Sequence, residues 1–118
     1  MTYALLIYRL VPASEAIPEL DDRAALEAHR ALQAETSARA ELHAVARLGG
    51  TNGARTVRRN GASHDISDGP YIETKEWLVG FYVLDCANEE EALGRARNLC
   101  ADENHVIEVR PVAWRRKA

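Results

Sequence analysis

The sequence predicts an α+β domain, an antiparallel sheet with two helices on one of its faces. Three observations predict it. Apolar runs of strand length stand at residues 3–8 and 79–86, and residues 106–112 read as a closing strand. Two other segments repeat their apolar residues at helical spacing. In chain order these elements read strand, helix, strand, inserted hairpin, strand, helix, strand, which is the split βαβ pattern with a hairpin added.

The first strand, residues 3–8, is short, apolar and aromatic-flanked, as expected of a central strand. Pro12 and Pro18 bracket a loop, and Asp21 or Asp22 can accept from the free N–H groups that begin a helix. From there to about Glu41 the chain is rich in Ala, Leu, Glu and Arg with no Gly or Pro. Ala25, Ala28, His29, Leu32 and Thr36 fall on one face of that helix, which should lie on a sheet. Residues 42–48 read as a second strand, closed by Gly49-Gly50 and Asn52-Gly53. Residues 56–58 and 63–67 flank Asn60-Gly61, a dipeptide suited to a tight hairpin turn, and Asp68-Gly69-Pro70 makes another turn. Residues 79–86 form the clearest strand. Asn88 followed by Glu91 is a capping-box-like helix start, and Ala92, Leu93, Ala96, Leu99 and Cys100 share a face of the helix that follows. Residues 106–112 close the sheet. The order is ferredoxin-like. Two helices can cover only one face of such a sheet, yet its strands are not cleanly alternating, so a second copy of the chain is expected on the open face.

At 118 residues the chain is expected to be one domain, residues 1–118. Its formal charge of −3, with acids and bases interspersed, does not suit nucleic acid, whose binding needs a basic stripe. The basic run Arg115-Arg116-Lys117 reads as a solvated tail. No apolar run approaches the roughly 20 residues of a membrane span, and no signal peptide is evident at the N-terminus. Cys86 and Cys100 read as free thiols, which makes the cytoplasm the expected compartment.

Asp68-Gly-Pro-Tyr-Ile-Glu-Thr-Lys-Glu76 running into Gly80-Phe-Tyr-Val-Leu-Asp85 resembles the DGPF-type branch of the YCII-related family. The opening strand, His29-Arg30 and Ile107-Glu-Val-Arg-Pro-Val112 reinforce the likeness, which spans almost the whole chain. Tyr71 stands where the pattern usually has Phe, and Trp77 where a polar residue is common. The resemblance implies a dimeric α/β barrel. It also implies catalysis by a histidine on the first helix with an aspartate just after it. His29 matches the histidine. Residues 37–41 contain no aspartate, only Glu41, so the pair is incomplete. Family members are often encoded beside or fused to sigma factors, which implies the alternative of a regulatory or protein-interaction module linked to transcription.

Among the candidate site residues, His29 is either a proton-transfer group in a cavity or a core histidine satisfied by one hydrogen bond. Asp68 most simply stabilises its turn. Glu73 and Lys75 alternate onto one side of an extended segment, as an ion pair or as ligand contacts. Glu108 and Arg110 are two apart on a strand and share a face, where Arg110 either pairs with an acid or anchors an anion. Tyr8 and Tyr82 read as core or cavity wall with a polar tip. The four histidines lack the close spacing of a zinc site, and the glycine pairs lack the Lys-Ser/Thr of a phosphate loop, so no metal or cofactor is expected. The expected function is a small-molecule site at the sheet face for an anionic ligand, with His29 as acid or base and Arg110 as anchor.

Overall fold

The computed structural model describes residues 1–10, 23–50, 53–70 and 76–116. Eight elements follow in order: β1 (Thr2–Leu10), α1 (Arg23–Ala38), β2 (Leu42–Arg47), β3 (Arg55–Asn60), β4 (Ser63–Asp68), β5 (Glu76–Asp85), α2 (Glu89–Leu99) and β6 (His105–Pro111). The main sheet has the order β2-β5-β1-β6, antiparallel at every junction, while β3 and β4 pair separately as a hairpin. This is the ferredoxin-like α+β arrangement the sequence predicts. The expected loop at Pro12 and Pro18 and the cap at Asp21 or Asp22 lie outside the described residues. Among the described residues no helix is long and apolar enough to cross a membrane.

Strand alternation divides the sheet into two unlike faces. On β1, Tyr3, Leu5 and Ile7 are buried beneath the helices with Leu32, Ala92, Ala96 and Leu99. Ala4, Leu6 and Tyr8 point the other way and are only half-buried. On β5 a bulge opposite the Ile7–Tyr8 step inserts Val79 between the partners Gly80 and Leu78. The extra residue shifts the alternation by one. Trp77 and Val79 therefore join Tyr82 and Leu84 in the core. Gly80 is required for closeness: a Cβ there would stand 2.8 Å from the Ala46 carbonyl oxygen of the neighbouring strand. The opposite face carries Leu6, Phe81, Val83, Leu78 and Val106, half-buried or exposed, with no helix over them.

Local signals place the helix ends. Asn88 caps α2 by accepting from the Glu91 N–H at 2.9 Å, and the Glu91 carboxylate accepts from the Ala87 N–H at 3.1 Å, one residue before the cap. Arg95 then ties α2 to the rest of the domain. Its buried guanidinium donates to Glu41 at 2.8 Å, to the Asp85 carbonyl at 2.9 Å and to Cys86 Sγ at 3.4 Å. Both cysteines are free. In the hairpin, Gly61 has φ 64° while Ala62 does not take positive φ, the sign pattern of a type II′ turn. The turn dipeptide is thus Gly61-Ala62, flanked by the Asn60–Ser63 pair, rather than Asn60-Gly61.

α1 ends in a Schellman motif: Glu41 N–H donates to Thr36 at 2.8 Å and Ala40 N–H to Ser37 at 3.1 Å. Ala40 sits at its left-handed position with φ 58°, where glycine is usual. A left-handed non-glycine residue costs roughly 1–2 kcal/mol. Ala40→Gly should therefore stabilise the domain by about 1 kcal/mol, read as a higher urea midpoint at unchanged slope.

Candidate active site beneath the first helix

A cavity of about 390 Å³ opens between α1 and the ends of β1, β2 and β5. The alternation that buries Tyr3, Leu5 and Ile7 continues to Arg9, which therefore lies on the helix side at the cavity wall. The register of β6 sets His105 opposite Arg9. From α1, His29 and Gln33 enter one turn apart, and Tyr82 rises from β5 between them. Leu26, Val45 and Val79 supply apolar wall, and Arg47 lines the rim of the same space on β2.

His29 and Tyr82 are locked together. Nδ1 of His29 is 2.7 Å from Tyr82 Oη, and the rings lie nearly parallel, 7° apart in plane. Gln33 donates to the same oxygen at 3.2 Å. Tyr82 can donate its proton to Nδ1, or it can accept from Nδ1–H and turn its own proton to the His29 carbonyl at 3.5 Å. The tautomer decides between them. In both, the phenol fixes the ring and His29 Nε2 has no hydrogen-bond partner among the described residues. Burial pushes the His29 pKa down from its ordinary value, and His105 pushes it the same way when charged. Burial raises the Tyr82 phenol, against a smaller opposite effect of the Gln33 hydrogen bond.

At the other wall, His105 is buried and its Nδ1 lies 2.7 Å from the Asp102 carboxylate. The Asn104 backbone N–H donates to that carboxylate at 2.8 Å. This backbone bond, then His105 and the nearby Arg9, hold the Asp102 carboxyl below the usual carboxylate range. Arg9 Nε is itself buried with no hydrogen-bond partner among the described residues. The cavity thus presents two guanidinium groups, two imidazoles and a phenol to one small volume, and among the described residues no acidic side chain lines it.

The family model of the YCII-related domain matches residues 1–114. The chain belongs to the YCII-related family. A protein of uncharacterised function from Rhizobium meliloti (strain 1021) is 37% identical, the match covering 96% of this chain and 93% of the relative.

In this YCII-related domain the residues singled out from the sequence do not all meet. His29 lines the cavity, and Tyr82 forms its wall with the polar tip turned inward. Glu108 and Arg110 do share a face, but it is the face away from α1. Their β1 partners are Leu6 and Ala4, and both are exposed. The sheet stands between them and His29, so the expected constellation of His29 with Arg110 is corrected to His29 with Arg9. Asp68 is on the hairpin, exposed and 3.0 Å from Arg55. Glu73 and Lys75 lie outside the described residues. Glu41 does not stand in for the missing aspartate, since it is committed to Arg95. Among the described residues no three of His, Cys, Asp and Glu are grouped to hold a metal. Sequence reasoning missed Arg9, Gln33 and the Asp102–His105 pair. Arg9 was accessible by counting, two residues beyond Ile7 on the same strand face.

The lowered His29 pKa sets a sign for stability. The unfolded chain takes up a proton near pH 6.5, the ordinary histidine value, before the folded chain does, so acidification favours unfolding. The His29 contribution is neutral above that value and becomes a penalty as the pH falls toward the lowered folded pKa. Urea midpoints should therefore drop between pH 7 and pH 5, and His29→Gln should flatten that slope. An unchanged slope in the variant would show that His29 titrates as it does unfolded.

Proposed function

We propose that this domain binds a small organic anion in the cavity beneath α1 and moves a proton on it. The observation that carries the reading is Arg9, a guanidinium at a cavity wall with a buried Nε lacking a partner, beside an imidazole kept neutral by burial. A buried donor left unpaired costs about 1–3 kcal/mol, and a carboxylate would relieve that cost with a charge-assisted bond. His29 then works at Nε2. With Nδ1–H donated to Tyr82, Nε2 is the base that accepts the ligand proton; Tyr82 Oη and Gln33 hold the ring while charge develops. The chemistry asks for no cofactor, and the sequence carries no cofactor motif.

A specific observation favours a second reading, a protein-interaction module. Among the described residues the β3–β4 hairpin pairs only with itself, and its facing residues Val57 and Ile66 are 63% and 71% exposed. Isolated two-stranded hairpins are marginal in water, so a partner surface would stabilise it. The cavity supports the enzymatic reading more strongly, because solvent-exposed apolar pairs are common, whereas a buried Nε without a partner among the described residues is rare.

A homodimer belongs to the same proposal. Leu6, Phe81, Val83 and Leu78 form a continuous apolar surface without a helix, and a second copy with the same surface would cover it. Light scattering at micromolar concentration should return twice the 13.1 kDa chain mass, and a persistent monomer would refute the dimer.

Calorimetric titration with benzoate tests the site. Arg9→Gln should weaken binding at least about tenfold, equivalent to about 1.4 kcal/mol, while Arg110→Gln should leave it unchanged. Loss on Arg110→Gln with retention on Arg9→Gln would move the site to the open sheet face.

A further inference from the structure

We infer that Asp102 and His105 form a second acid–base pair facing the same ligand as His29, so that the cavity works on a carboxylate with two imidazoles rather than one. The inference rests on the proposed function and adds the residue that would return the proton.

The geometry is that of a histidine aimed by an acid. His105 Nδ1 lies 2.7 Å from Asp102, whose carboxylate is itself held by the Asn104 N–H at 2.8 Å. An ionised carboxylate only accepts, so Nδ1 must carry the hydrogen and the other ring nitrogen, Nε2, is left for the cavity that the ring lines. The side chain of His105 is 4% exposed, so its ring has little room to turn away. Its position is fixed twice, by the β6 register opposite Arg9 and by the Leu10 N–H donating to the Asn104 carbonyl at 2.8 Å. A histidine serving only to close the turn at residues 102–105 would need the Asp102 bond, but it would not need a ring set into a cavity wall next to a guanidinium.

The division of labour follows. The ligand carboxylate lies against Arg9. His29 accepts a proton from the ligand at Nε2, and His105, when protonated and balanced by Asp102, donates one from Nε2 to a second position. The ligand keeps its formula, His29 ends protonated and His105 neutral, and the two exchange protons with solvent to reset. Such a transfer is an isomerisation of a small carboxylate with an ionisable C–H or O–H group. Among the described residues, the charged and titratable groups facing His29 are Tyr82 on β5, Arg9 on β1, Arg47 on β2 and His105 on β6; those facing His105 are Asp102, Arg9 and His29. The lowering of the His29 pKa by His105 is in keeping with two rings that share this space.

Histidine ring resonances, followed by NMR through a pH titration with and without benzoate, test the pair. In the wild type, benzoate should shift the ring signals of both His29 and His105 and raise the His29 titration midpoint. Asp102→Asn should free the His105 ring from its anchor, read as loss of the benzoate-induced shift of the His105 signals, with Asp102→Glu restoring it. His105→Gln should weaken benzoate severalfold while His29 still titrates. If benzoate moves His29 alone, or if Asp102→Asn leaves the benzoate-induced shift of His105 in place, the second pair is refuted and the proposed function stands. If benzoate moves neither ring, both fall.

Discussion

The alternation along β1, with Tyr3, Leu5, Ile7 and Arg9 toward the helices and Ala4, Leu6 and Tyr8 away, sets where every other group can go. A slip of one residue would exchange the two sets and put the core residues in water. Pairing with β6 transmits the choice, placing Ile107 and Val109 on the helix side and Glu108 and Arg110 on the opposite face. Pairing with β5 transmits it to Tyr82, whose hydroxyl then reaches the underside of α1. The cavity lies where this apolar face gives out: Ile7 is its last large residue on β1, and Arg9 replaces the next one.

That replacement accounts for the electrostatics. A guanidinium at a partly apolar wall requires either a carboxylate neighbour or an anion from solution. Asp102 is near enough to feel Arg9, but its bonds run through Oδ1 to Asn104 and His105, and it does not reach Arg9 Nε. Among the described residues, Glu41 is committed to Arg95 and Asp85 to Thr2 and His43. An anionic guest is the partner proposed for Arg9. A neutral His29, braced by Tyr82, is the group best placed to act on one.

The fold was legible because its signals are local. Asn88 capped α2 as its side chain dictates, the two helices showed their apolar faces, and Leu32 and Thr36 are buried as their spacing with His29 requires. The candidate site was legible only in half. His29 stood out as a polar residue on an apolar helix face, and Glu108 and Arg110 were correctly placed on a common strand face. Period two fixes that two residues share a side, but not which side faces the helices; that depends on burial of the neighbours, and here Ile107 and Val109 take the helix side. Glu41 failed as a substitute acid because a buried arginine 54 residues away claims it, a pairing no local pattern announces. The Asp102–His105 pair is local, but it gains meaning only when the sheet brings it beside Arg9.

The most direct test of the central claim, an anion site under α1 at Arg9, is the crystal structure of the protein soaked with 4-bromobenzoate. The account predicts an anomalous bromine peak inside the cavity toward Leu26 and Val45, with the carboxylate against Arg9 and within reach of His29. A peak on the open sheet face beside Arg110, with none in the cavity, would contradict it.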